Sequence, residues 1–160
     1  MTDARLGLAC HPVADSNHPS PALLGAGPNT EREAMTAVIY LAISRDVVLS
    51  ANVEKHWAVR ARHVKVIRDM AWVMAKHHRY PPMKRASIDV EVTWPDNHRR
   101  DASNLAPTAK AAIDGFVDAG LLLDDSDKYV EATTYRASPE RRKTPGIAAY
   151  LKFTITEVPL

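Results

Sequence analysis

The sequence contains a single cysteine, Cys10, and no long apolar run. One cysteine can form neither an intramolecular disulfide nor a cysteine-based metal site. No stretch approaches the roughly 18 apolar residues of a membrane span, and no basic start followed by an apolar block indicates a signal peptide. A glycine-rich phosphate loop and zinc-finger spacing are also missing. These absences predict a reduced, cytoplasmic protein without a membrane segment, and 160 residues allow about one domain.

The charges are segregated, although 21 Lys and Arg against 19 Asp and Glu give a net charge of only +2. Between Glu54 and Arg85 there are nine Lys or Arg and four His against two acids. Between Asp114 and Asp127 there are five Asp and no base. A basic surface attracts polyanions, whereas an acidic cluster repels itself unless it binds a cation. Together the two segments indicate nucleic acid and a metal ion as ligands.

The first 34 residues differ in composition from the rest of the chain. Four prolines lie there among Gly, Ser and Asn, and no helical or strand periodicity is maintained. We therefore expect residues 1–34 to be a disordered leader and residues 35–160 to form the folded domain. Because a strand-like segment begins directly at Met35, a further hypothesis is that the functional start of the protein lies near that residue.

Periodicity over the remaining residues predicts the order strand, helix, strand, helix, strand, strand. The predicted strands cover residues 37–43, 88–94, 129–135 and 151–156, and a charged loop covers 138–146. The first predicted helix covers 53–76, with Ser50 or Asn52 as its cap and Trp57 and Trp72 in the core. The second covers 104–119 and stops at Gly120. The expected fold is α/β (α+β), a mixed sheet of about four strands with two helices packed on one side.

The segment from Trp94 to Val130 contains the candidate catalytic residues. Lys110 and Asp114 are four positions apart and share one face of the second helix. Asp124 and Asp125 follow the next short apolar run. Carboxylates held close together repel each other, and a hard divalent cation such as Mg²⁺ removes that cost. Such ions can activate water and stabilise the leaving oxygen of a phosphodiester, while Lys110 neutralises charge that develops on the phosphate.

The order RRD, Asn-Leu, a helical lysine, DG, AG and DD between Arg99 and Asp125 resembles the RusA family of Holliday-junction resolvases, most closely its phage- and actinobacteria-type members. The resemblance covers about residues 36–158, and Asn52 with His56-Trp57 is similar to the start of the family's first helix. It implies a homodimeric, Mg²⁺-dependent endonuclease (with Mn²⁺ as a substitute) that cuts branched DNA in recombination and repair. It implies catalytic roles for Asp101, Lys110 and Asp125, and metal ligation by Asp101, Asp114, Asp124 and Asp125.

This sequence departs from the family at two places. Ser103 stands where the best-known members have a second Asp, and about three extra residues, including Pro107-Thr108, precede the lysine. One-metal and two-metal enzymes therefore both stay open, as does a non-catalytic branched-DNA-binding protein with a degenerate metal site. A third alternative is a scaffold whose acidic cluster binds a basic partner. Asn104 could supply a neutral oxygen ligand in place of the missing carboxylate.

Candidate DNA-binding residues lie in the loop after the second predicted strand and on the first helix. Phosphate contacts of this kind position a substrate without reading its sequence, which suits a structure-selective enzyme. Asp118, Asp127 and His77-His78 are interpreted as surface charges. The predicted DNA contacts are Arg99, Arg100, Asn104, Arg60, Arg62, Lys65 and Arg68.

Overall fold

The computed structural model describes residues 34–159. The predicted leader therefore lies outside the described residues except for its last position, Ala34, and Cys10 lies outside them as well. The described chain forms four strands, two α-helices and one short 3₁₀ turn, in the predicted order. In sequence these are β1 (Thr36–Ser44), α1 (Trp57–His78), β2 (Ala86–Trp94), the 3₁₀ turn (Ala102–Leu105), α2 (Ala106–Asp118), β3 (Val130–Arg141) and β4 (Ile147–Glu157).

The four strands form one mixed sheet in the order β1-β4-β2-β3. Strand β4 pairs antiparallel with both β1 and β2, so that Phe153 lies opposite Ile39 on one side and Val90 on the other. Strands β2 and β3 are parallel. A parallel pair needs a crossover connection, and here that connection contains the 3₁₀ turn and α2. The predicted mixed, four-stranded α/β (α+β) fold is confirmed.

Both helices cover the same face of the sheet. Alternate side chains of the strands are buried there, as a period of two requires, and Phe116 of α2 packs edge-on against Phe153 at a ring-centroid distance of 5.1 Å. The opposite face is polar: Arg136 pairs with Asp89 and Glu91 across the strands. The buried strand residues include Ala37, Ile39, Leu41, Ile43, Ile88, Val90, Val92, Leu151, Phe153 and Ile155.

Helices α1 and α2 pack closely because one residue of their interface has no side chain. A Cβ atom at Gly115 would lie 2.3 Å from the carbonyl oxygen of Arg68 and 2.8 Å from the Cβ of Ala71. Both distances are shorter than van der Waals contact, so any larger residue would force the helices apart. Gly115 therefore fixes the position of α2, and with it the residues that α2 presents to solvent.

The first helix begins later than predicted and buries less of its surface. It starts at Trp57, and its cap is His56, whose Nδ1 accepts a hydrogen bond from the Ala58 amide at 3.3 Å, instead of Ser50 or Asn52. The prediction that Trp57 and Trp72 are core residues is wrong: they are 75% and 43% exposed. Trp57 precedes the buried stripe of α1, which begins at Ile67, and Trp72 lies beside that stripe, one position after Ala71.

The later elements also differ from the prediction in their bounds. The predicted helix over 104–119 is divided into the 3₁₀ turn and α2, with Pro107 in the first turn of α2. Gly120 follows with a φ of 79°, as expected for a helix stop. Strand β3 continues to Arg141, which pairs with Trp94. Because β4 begins at Ile147, the charged loop predicted over 138–146 covers only 142–146. Neither α1 nor α2 is long and apolar enough to cross a bilayer.

Candidate functional site

A small open cleft brings together four of the residues predicted to form the catalytic site. Lys110 and Asp114 come from α2, and Asp124 and Asp125 come from the turn that follows it. Arg68 and Val117 complete the walls of this space of about 420 Å³. We call these residues the acidic cleft. Ten or more positions of sequence separate the two pairs of residues that meet there.

The Lys110 ammonium group lies between two carboxylates of the acidic cleft. Its Nζ is 3.0 Å from Oδ1 of Asp114, which confirms that the two residues share a helix face, and it also forms an ion pair with Oδ2 of Asp125. All three side chains are partly exposed. Two carboxylates at such close quarters repel each other, and the ammonium group offsets that repulsion. The cleft is therefore built around a cation that the chain itself supplies.

The turn that carries Asp124 and Asp125 is held in place by its own hydrogen bonds. Asp124 accepts bonds from the Asp125 amide at 2.8 Å and from the Ser126 hydroxyl at 3.0 Å. Upstream, Leu121 is buried, and its carbonyl accepts a bond from the Met83 amide at 2.8 Å. The positive φ of Gly120 turns the chain back from α2. These contacts explain why an apolar run followed by two acids returns to the face of the helix that precedes it.

The carboxylates of the acidic cleft match a hard divalent cation in donor chemistry, because Mg²⁺ takes oxygen ligands. Within residues 34–159, however, no group of three or more Asp, Glu, His or Cys side chains is arranged to hold a metal ion. The Lys110 ammonium occupies the position between Asp114 and Asp125 instead. An ion that used both carboxylates would have to displace Lys110 from Asp125.

Asp101, the other predicted catalytic carboxylate, does not line the acidic cleft. It is exposed and directly precedes the 3₁₀ turn, where its carbonyl accepts a hydrogen bond from the Asn104 amide at 3.1 Å. Ser103 lies within the same turn and is also exposed. The structure therefore brings Lys110, Asp114, Asp124 and Asp125 together and leaves Asp101 outside their cleft.

The predicted DNA-binding residues of the β2–α2 connection lie in a separate recess of about 570 Å³. Arg99, Arg100 and Asn104 all line it. Arg100 forms two hydrogen bonds with Asp96, at 2.8 and 3.2 Å, and its guanidinium lies 5.2 Å from the ring centre of Trp94. This pairing holds the pKa of Asp96 below its usual value. Arg100 is thus neutralised by a neighbour.

The basic residues of α1 divide into paired and unpaired groups. Lys65 pairs with Asp69 at 2.6 Å, and Arg68 binds both oxygens of Asp118. The hydrogen bonds to Asp118 raise the pKa of Arg68, and those from Arg68 lower the pKa of Asp118. Asp118 is exposed, in agreement with its interpretation as a surface charge. Arg60 and Arg62 are exposed and form no ion pair with any residue from 34 to 159.

Thr108 fixes the β1–α1 loop, a role that no periodicity in the sequence predicts. Buried Thr108 accepts a hydrogen bond from the Leu49 amide at 3.0 Å and donates one to the Leu49 carbonyl at 2.6 Å. The Ala51 amide donates to the Asn104 carbonyl at 2.8 Å. Thr108 belongs to the extra residues before Lys110, so those residues attach the β1–α1 loop to α2. Their departure from the family pattern was the only available signal.

No family model matches the chain, and no curated protein matches it either. The resemblance to the RusA family therefore rests on the motif of Arg99–Asp125 alone, and it is used below only to propose a function.

Proposed function

We propose that the chain is a Mg²⁺-dependent, structure-selective endonuclease that hydrolyses phosphodiesters of branched DNA such as Holliday junctions, acting in the cytoplasm as a homodimer. The observation that supports this most is the meeting of Lys110 with Asp114 and Asp125 in one cleft that Asp124 also lines. The resemblance of these residues to the RusA family adds the reaction and the substrate class. Two symmetric cuts in a junction need two sites, which is the reason for proposing a dimer.

Each residue of the acidic cleft has a role in this proposal. Asp114, Asp124 and Asp125 would hold the ion. The resemblance to the RusA family adds Asp101 to the catalytic residues, although Asp101 does not line the cleft. A Mg²⁺ ion held by these carboxylates would supply an activated water and stabilisation of the leaving oxygen. Lys110 lies beside Asp114 and Asp125 with more than half of its side chain exposed. Once an ion has displaced it from Asp125, its charge can stabilise the phosphate in the transition state.

The direct test is cleavage of a synthetic four-way junction in the presence of Mg²⁺. We expect paired nicks from the wild-type protein and a loss of at least about 100-fold in rate for Asp125→Asn, because a ligand carboxylate is removed. Asp127→Asn is the matched control: it removes an exposed carboxylate two positions away and should cleave normally. Cleavage by Asp125→Asn at the control rate would overturn the nuclease proposal.

A non-catalytic branched-DNA-binding protein is the second candidate, and two observations favour it. Ser103 replaces an expected carboxylate, and Asp101 lies outside the acidic cleft. In that case the wild-type protein would bind the junction without nicking it, and the Asp101→Asn and Lys110→Ala variants would bind it no more weakly than the wild type. Failure to bind branched DNA even at low salt would instead favour a scaffold that uses its acidic residues for a basic partner.

A further inference from the structure

Three loops meet at one end of the sheet and are joined by their backbones. The Arg45 amide donates to the Gly146 carbonyl at 2.9 Å, which links the end of β1 to the β3–β4 connection. The Arg142 amide donates to the Trp94 carbonyl at 3.0 Å, which links that connection to the end of β2. We call the surface formed by residues 45–52, 95–100 and 141–146 the loop end. Its parts are held in a fixed arrangement although they are far apart in sequence.

The loop end has the most unbalanced charge of any surface described above. It carries six Lys or Arg against two Asp, Asp46 and Asp96, so its formal charge is +4 with His98 neutral. A surface of one sign attracts ligands of the opposite sign and speeds their association. The six cations are Arg45, Arg99, Arg100, Arg141, Arg142 and Lys143.

Half of these cations are engaged by neighbours. Arg100 pairs with Asp96, Arg141 donates to the Asn97 side chain at 2.9 Å, and Arg142 lies 4.2 Å from the ring centre of Tyr150. The other three are exposed, and their side chains make no hydrogen bond or ion pair with the part of the chain that the structure describes. These unpaired cations are Arg45, Arg99 and Lys143.

The unpaired cations surround two adjoining recesses. Arg45 and Arg99 line the recess of about 570 Å³, together with the neutral side chains of Ser50, Asn52 and Asn104. Arg45 and Lys143 line a second recess of about 460 Å³. Unpaired guanidinium and ammonium groups beside neutral hydrogen-bonding side chains are the combination that binds phosphate oxygens.

We infer that the loop end binds the backbone phosphates of a DNA arm through Arg45, Arg99 and Lys143, and that α1 contributes less to DNA binding than its sequence suggests. The identification of the bound polyanion as DNA rests on the proposed function. The inference differs from the prediction made from sequence, which placed four of seven DNA contacts on α1. Two of those four, Lys65 and Arg68, are already paired with Asp69 and Asp118.

The loop end and the acidic cleft are connected by one continuous segment. Asn104 lines the recess at the loop end, and Lys110, six residues later, lines the acidic cleft. Six residues of helix rise about 9 Å. One DNA strand advances about 3.4 Å per nucleotide, so roughly three nucleotides of one strand span both surfaces. A DNA strand bound at the loop end can therefore reach the acidic cleft within a few nucleotides.

The test compares two triple variants of equal charge change. The first combines Arg45→Ala, Arg99→Ala and Lys143→Ala at the loop end; the second combines Arg60→Ala, Arg62→Ala and Lys76→Ala on exposed positions of α1. Binding of a labelled four-way junction is measured by fluorescence anisotropy in EDTA between 50 and 200 mM salt. We expect the loop-end triple to bind at least about tenfold more weakly and its log–log salt slope to fall by about 2 to 3, because each phosphate contact contributes about 0.9 to that slope. The α1 triple should lose less than about threefold, because Arg60, Arg62 and Lys76 line neither recess of the loop end.

Equal losses in the two triples, or a larger loss in the α1 triple, would overturn the inference, as would a wild-type protein that binds no DNA at 50 mM salt. Thermal melting checks that both triples fold, and Arg99→Glu provides a single-site variant that should also weaken binding. Nicking is measured separately. If binding depends on the loop end but the wild-type protein does not nick the junction, the result supports this inference and contradicts the nuclease proposal. If the loop-end triple binds and nicks the junction normally, the result contradicts this inference and supports the nuclease proposal.

Discussion

The acidic cleft and the loop end both adjoin the segment formed by the 3₁₀ turn and α2, but they differ in whether their cations are ion-paired. In the acidic cleft, Lys110 is enclosed between Asp114 and Asp125. At the loop end, Arg45 and Arg99 are exposed and form no ion pair with any described residue. A paired cation competes with a divalent ion for the carboxylates that it neutralises. An unpaired cation is free to exchange counterions for phosphates.

Removing Lys110, the paired cation of the acidic cleft, should have the largest effect. Lys110→Ala should reduce junction nicking at least about 100-fold, because the developing phosphate charge loses its stabilising partner. The same variant should bind Mn²⁺ more tightly than the wild type, since the ammonium that competes for Asp114 and Asp125 is gone. Nicking assays and Mn²⁺ titration followed by electron paramagnetic resonance give the two readouts.

Lys84→Ala is the control for this experiment, because it removes an exposed lysine outside both surfaces. It should change neither the nicking rate nor the affinity for Mn²⁺. If Lys110→Ala leaves both quantities at the level of Lys84→Ala, Lys110 is only half of a surface ion pair.

The position of the acidic cleft depends on helix packing at Gly115. Gly115→Ala would place a methyl group 2.3 Å from the Arg68 carbonyl oxygen, so we expect a loss of about 3 kcal/mol in the free energy of unfolding. Gly146→Ala at the loop end meets no atom within 4 Å and carries only the cost of a φ of 77°, about 1 to 2 kcal/mol. Urea denaturation distinguishes the two, and an equal loss in both variants would contradict the close helix contact.

The position of the 45–52 segment of the loop end depends on the hydrogen bonds between Thr108 and Leu49. Thr108→Val keeps the shape of the side chain but leaves the buried amide and carbonyl of Leu49 without their partner. We expect a loss of about 1 to 3 kcal/mol in stability and faster hydrogen exchange at the Leu49 amide. Thr133→Val on the half-buried part of β3 is the control and should change stability by less than about 0.5 kcal/mol. Unchanged exchange at Leu49 would show that Thr108 does not hold the loop.

The smallest expected effect concerns acid pH at the β1–α1 loop. Lys55 donates to the Val48 carbonyl at 2.9 Å and contacts Nδ1 of His63 at 3.1 Å. Burial, followed by the charges of Lys55 and Arg62, lowers the pKa of His63. The neutral ring is thus favoured in the folded state, and its contribution is present above pH 6.5, the usual value, and lost as the pH falls through the lowered pKa.

We therefore expect the melting temperature to fall between pH 7.5 and 5.5, and about 2 °C of that fall to be absent in His63→Asn, which keeps an acceptor near the position of Nδ1. His77→Asn is the control, because His77 lies at the opposite end of α1. The interpretation is wrong if His63→Asn and His77→Asn melt with the same pH dependence as the wild type.

Local patterns predicted the fold well because each element is amphipathic over its own length. Alternation along Ile88–Trp94 identified β2, and a spacing of four placed Lys110 beside Asp114. Contacts between distant segments left no comparable pattern. Nothing periodic links Thr108 to Leu49, 59 positions away, so the anchoring of the β1–α1 loop could not be predicted.

The limits of local pattern also explain the errors on α1. Trp57 is apolar and falls at helical spacing, but this first turn of α1 precedes the buried stripe that begins at Ile67. Likewise, the basic residues of α1 looked equally available for DNA, although Arg68 is bound to Asp118 from the end of α2. Which charges are already paired is a property of tertiary structure, and the sequence shows only that they are present.

In the proposed nuclease, a divalent ion replaces the Lys110 ammonium group at Asp125 in the acidic cleft. Crystals soaked in Mn²⁺ and measured at an anomalous wavelength test it directly. We expect a peak in contact with Asp125 and at least one of Asp114 and Asp124, with Lys110 moved away from Asp125. A map in which Lys110 still pairs with Asp125 and no anomalous peak lies in the cleft at saturating Mn²⁺ would show that the acidic cleft is not a metal site.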